Sequence, residues 1–130
     1  MNGAHTLDRV LVAMAVGRML LGLAPFVAAG LTSRLLGFPA EQDSPTARLM
    51  ARWFGVRDIG LGVLVLYALQ HRAVLSFILL FNALTDAGDL VAIAIPLVRR
   101  QGIDRAALSS AVFALPGAIA WLFLRSFVER

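Results

Sequence analysis

Cysteine and lysine are both missing from this chain of 130 residues, and charged residues of either sign make up only 15% of it. Without cysteine there is no disulfide, no thiolate nucleophile and no cysteine-held metal or iron–sulfur centre. Without lysine, the net charge of +4 rests on arginine alone, a usage found in GC-rich bacterial genomes. Soluble domains usually devote about 25% of their residues to Asp, Glu, Lys and Arg. The shortage here leaves no room for a separate soluble domain. Nucleic-acid binding is not expected either, because many arginines lie within or beside apolar runs rather than on one basic face. The opening Met1-Asn2-Gly3-Ala4-His5 lacks a basic n-region, and Arg18 interrupts the first apolar run. An uncleaved first helix is therefore expected rather than a removed leader.

What the chain does have is apolar length. It is 59% hydrophobic, with a mean hydropathy of +0.80. Crossing a bilayer takes about 20 apolar residues in a helix, and four blocks are that long: residues 7–29, 45–69, 73–98 and 105–127. The expected fold is all-α: an integral membrane four-helix bundle forming a single transmembrane domain over residues 1–130. Its place is a multi-pass position in the membrane, for this composition a bacterial inner membrane. Ser44-Pro45 reads as an N-cap followed by proline at the first helical position. Asp104 reads as the cap of the last span. Gln70-His71-Arg72 is a tight connection that makes the second and third spans antiparallel neighbours. Leu31 to Pro39 forms a short amphipathic piece suited to the interface. Gly17 and Gly22 flank Arg18 closely enough to admit a neighbouring helix, and the small residues of the fourth span, Ala114, Gly117 and Ala118 among them, permit similar contact. Arg34, Arg48, Arg99, Arg100 and Arg105 on one side outnumber Arg9, Arg72, Arg125 and Arg130 on the other. That slight excess places both termini outside.

The informative residues are charges in the wrong solvent. An Arg or Asp at the centre of a spanning helix costs about 2.5–3.5 kcal/mol on insertion scales. Asn82, Asp86 and Asp89 stand at i, i+4 and i+7, on one face of the third span. Arg57 and Asp58 interrupt the second span, and Arg18 sits near the midpoint of the first. With Arg52 these make three arginines and three aspartates, a neutral set that an interior network would need. Two readings follow. In one, buried Arg–Asp pairs fix helix register in an accessory subunit or small transporter. In the other, they line a polar pocket for an amphipathic, oxygenated small molecule (a lipid, a quinone or a polyketide- or terpene-like compound). There Asp86, Asp89 and Asp58 are the candidate acids and bases for isomerisation, ring opening or cyclisation, Asp86 and Asp89 sharing a proton as a coupled pair. Arg18, Arg52, Arg57, Asn82 and Trp53 are the candidate binding residues, the arginines offering bidentate donors. A metal is not expected, because the arginines oppose a hard cation at the aspartates. His5 and His71 belong at the membrane surface, Trp53 and Tyr67 at opposite ends of the second span as interfacial anchors, and Trp121 in packing or in a pocket wall. A bundle this small is also a candidate homodimer.

The stretch Arg52-Trp53-Phe54-Gly55-Val56-Arg57-Asp58-Ile59-Gly60-Leu61-Gly62 resembles a segment of small four-span bacterial and fungal membrane proteins. They form the family called domain of unknown function 4267, near the DoxX-like group. The resemblance rests on Gly55-x-Arg57-Asp58-x-x-x-Gly62, followed by an aspartate in the third helix, here Asp86 or Asp89. It implies the four-helix architecture and weight on Arg57 and Asp58. DoxX-like relatives are associated with quinone-linked redox systems, but no residues here would hold a haem, flavin or copper, so no cofactor is expected.

Overall fold

The apolar blocks form helices and little else. The computed structural model of the chain describes residues 2–130. Five α-helices run in the order α1 (Asn2–Val27), α2 (Ala29–Leu36), α3 (Pro45–Gln70), α4 (Arg72–Val98) and α5 (Asp104–Val128), with one 3-10 turn at Ala40–Gln42. Among the described residues, three helices are long and apolar enough to cross a membrane: Gly3–Val27, α4 and α5. They make the chain a multi-pass membrane protein by length and composition. The helix α3 is equally long but carries Arg48, Arg52, Arg57 and Asp58. Large apolar side chains point outward throughout, Val98 81% exposed and Phe77 65% among them, a surface suited to lipid rather than water.

The ends of the helices follow local chemistry. Ser44 Oγ accepts a hydrogen bond from the Ala47 N–H at 3.1 Å, satisfying one of the free donors at the start of α3, while Pro45 takes the first helical position. The segment expected to lie in the interface is the separate helix α2. It ends at Gly37, in the left-handed region at φ 95°, with Arg105 packed where a side chain would stand. A single residue, His71, separates α3 from α4. Asp104 departs from its expected capping role: Ile103 occupies the cap position, and Asp104 lies inside the first turn of α5. Its negative charge still complements that end of the helix dipole.

Packing divides the long helices into two pairs, α1 with α3 and α4 with α5, while α3 and α4 meet less closely. Glycine makes the first pair tight. A Cβ on Gly22 would stand 2.5 Å from the Gly55 carbonyl oxygen, one on Gly55 would strike the Gly22 carbonyl oxygen, and one on Gly62 would strike Met19. The two backbones touch where side chains are missing, the usual way helices associate in lipid. Gly17 faces nothing within 4 Å, so only Gly22 of the expected pair serves this contact. All four long helices then share one apolar cluster: Leu11 and Ala15, Val65 and Ala68, Leu75, Leu79 and Ala83, Trp121 and Leu124. That cluster lies toward the end bearing the α3–α4 turn and both termini. The charged layer begins one turn beyond it.

Candidate functional site

Arg18 follows Leu11 and Ala15 on the inward stripe of α1 and projects into the layer above the apolar cluster. Its guanidinium forks onto Asp86 of α4, with Nη1 donating to Oδ2 at 3.0 Å and Nη2 to Oδ1 at 2.8 Å. Nη2 also reaches Asp58 Oδ1 of α3 at 3.2 Å. All three side chains are 7–9% exposed. A second fork lies alongside. Arg57 Nη1 and Nη2 donate to the two oxygens of Asp89, each at 2.7 Å, and Nη2 touches Asp58 Oδ1 at 3.3 Å. This fork is more open, Arg57 being 35% exposed and Asp89 23%. Asp58 is the hinge of the network, because one of its oxygens meets both arginines.

The surroundings are shaped for these groups. A Cβ on Gly117 of α5 would lie 2.6 Å from Asp86 Oδ2, so α5 leaves a notch for the carboxylate. The indole of Trp121 has the Arg18 guanidinium carbon 6.0 Å from its centroid, and the Arg57 carbon lies 4.5 Å from the Phe54 ring. Both are within cation–π reach. Asn82, fully buried one turn before Asp86, donates to its own helix at Ile78 O, 3.0 Å away. Three buried polar atoms here have no hydrogen-bond partner: Arg18 Nε, Arg57 Nε and Asn82 Oδ1.

Of the residues expected at the site, Arg18, Arg57, Asp58, Asp86 and Asp89 come together, with Asn82 beside them. Arg52 and Trp53 do not join; both are exposed on α3, Trp53 by 59%. Their phase on the helix differs from that of Asp58. The network therefore holds two guanidiniums and three carboxylates, not the neutral set of six. Asp86 and Asp89 are also bound to different arginines rather than to each other. Two surface concavities lie elsewhere and have no network residue in their walls: one of about 380 Å³ beside His5, Asp8 and Arg9, and an apolar one of about 230 Å³ along Val16, Met19 and Ile59.

Polar ties outside the apolar layer are ordinary surface contacts. Arg72 pairs with Asp8 at 2.6 Å and Arg125 with Glu129 at 2.6 Å, and Ser76 donates to Glu129. His71 stacks on Tyr67. At the opposite end Arg48 forks onto Asp43, and its hydrogen bonds and charge hold the Asp43 carboxyl below the usual carboxylate range. Gly117, expected to permit close helix contact, does so by admitting the Asp86 carboxylate. Pro116-Gly117 marks a weak point in α5, but which neighbour uses the space depends on the facing helix.

The family described as Domain of unknown function (DUF4267) matches residues 15–125, a range that contains every member of the network. No curated protein and no solved structure matches the chain.

Proposed function

The chain belongs to this DUF4267 family, and from that premise we propose that it is a single four-helix transmembrane unit whose charged layer binds the oxygenated head of an amphipathic small molecule. The tail would lie among the apolar side chains, as a lipid, a quinone or a polyketide- or terpene-like compound allows. The single observation that carries this reading is the set of unspent buried atoms at the network: two guanidinium N–H donors and the Asn82 carbonyl acceptor, all without protein partners. Buried polar groups are nearly always satisfied, and these three match the donor and acceptor needs of a carbonyl- or hydroxyl-bearing guest. The more open Arg57–Asp89 fork is the side a guest would approach. Cofactor-free acid–base chemistry, with Asp58, Asp86 or Asp89 handling the proton, is the sharper form of the same reading. Residence in a bacterial inner membrane and association as a homodimer belong to this proposal as well.

One observation favours the non-enzymatic alternative, an accessory subunit or small transporter. Arg18–Asp86 and Arg57–Asp89 both cross from the α1–α3 pair to the α4–α5 pair, which is what a structural fastener would do. Native mass spectrometry of the protein released from nanodiscs separates the two. The guest reading expects a retained amphipathic species that Arg57→Gln loses while the helical circular dichroism stays intact. If wild type and variant carry the same lipids in the same amounts, the charges are fasteners only.

A further inference from the structure

The network's charges do not balance. Every charged group that faces Asp58 is accounted for: Arg18 from α1, Arg57 from its own helix, and Asp86 and Asp89 from α4. The helix α5 adds Gly117 and Trp121, neither of them titratable. Two guanidiniums against three carboxylates leave a formal charge of −1 in the middle of an apolar bundle. An unpaired charge in so poor a solvent is far costlier than a paired one, and the group neutralises instead.

Geometry identifies which carboxylate is in surplus. Asp86 and Asp89 each receive a full two-pronged fork, with contacts of 2.7–3.0 Å. Asp58 receives only the outer edges of both forks, at 3.2 and 3.3 Å, and both on Oδ1. Its Oδ2 takes no part in either fork, and the side chain is only 8% exposed. A metal ion is a poor candidate for the missing positive charge. Among the described residues no group of three carboxylate, imidazole or thiolate ligands comes together to hold one.

We infer that the network binds one proton at neutral pH and that Asp58 carries it, as a neutral carboxylic acid protonated on Oδ2. Oδ1 then remains the acceptor for Arg18 and Arg57, and the layer becomes two neutral Arg–Asp pairs bridged by an acid. This goes beyond the guest-binding reading and holds whether or not a guest binds. It also sets the guest's class: a neutral head leaves the balance intact, whereas an anionic one returns a net charge of −1 to the layer.

Infrared spectroscopy of the full chain in nanodiscs tests this. At neutral pH the wild type should show the carbonyl stretch of one protonated carboxyl, shifted by ¹³C-aspartate labelling and absent from Asp58→Asn. Because asparagine mimics the neutral acid, Asp58→Asn should keep the wild-type melting temperature, while Asp86→Asn lowers it. The inference fails if the wild type lacks that band, which requires no variant to fold. It fails equally if the band survives Asp58→Asn, or if Asp58→Asn melts as low as Asp86→Asn.

Discussion

Arg18–Asp86 and Arg57–Asp89 are the same interaction in two settings. Each is a guanidinium forked onto an α4 aspartate from the α1–α3 pair, with contacts between 2.7 and 3.0 Å. The first is sealed, under Trp121 and against the Gly117 notch; the second is about a third open at Arg57, with an exposed Phe54 beside it. Chemistry alone does not separate a fastener from a working group. Surroundings do: the sealed fork has nowhere to go, and the open one can exchange its partner.

The largest expected effect comes from breaking the sealed fork. Arg18→Ala strands the buried Asp86 without a cation and should cost about 3–5 kcal/mol of stability, read as a lowered melting temperature in detergent. Exchanging the two ends, Arg18→Asp with Asp86→Arg, should recover part of the loss. Gly117→Ala comes next. It drives a methyl into Asp86 Oδ2 from a helix backbone with little freedom to move, at about 1–3 kcal/mol. Breaking the open fork should do less: Arg57→Ala leaves an Asp89 that is less enclosed than Asp86, 23% against 9% exposed, costing about 1–2 kcal/mol in the same melt. If Arg57→Ala proves as damaging as Arg18→Ala, the contrast between the forks is false.

The smallest effect is set by the exposed Arg48–Asp43 fork, which has the same geometry with no burial. Asp43 is held below its ordinary value, about 3.9 for a free aspartate. Any stability it contributes is present above that value and lost as pH falls through the folded one. Asp43→Asn should therefore melt with the wild type in acid and differ little from it at neutral pH. A marked gap at neutral pH would mean that this surface pair does more than its exposure allows.

Much of this was legible in the residues. Long apolar runs announced the helices, Ser44-Pro45 announced the start of α3, and charges inside apolar runs announced an interior layer. The periodicity of α4 put Asn82, Asp86 and Asp89 on one face, and the structure keeps them there. What stayed hidden depends on relations between helices. Helical phase says which residues share a face, but not which face meets which neighbour. Residue order alone therefore groups Arg52 with Arg57, although Arg52 is exposed, and leaves the fork partners unassigned. The Gly117 notch is the same kind of fact: a space in α5 that acquires meaning only when α4 lies across it.

The Gly22–Gly55 contact has a mechanical corollary. Two backbones in direct touch, with Gly62 pressed on Met19 further along, cannot slide past one another without a clash. The α1–α3 pair therefore moves as one plank. Whatever breathing the molecule allows must happen between that plank and the α4–α5 pair, pivoting on the shared apolar cluster and the Arg72–Asp8 staple at one end. The lips of such a clam lie at the far end, where Arg105 of α5 packs on Gly37, and the first ion pair inside them is the fork between Arg57 and Asp89.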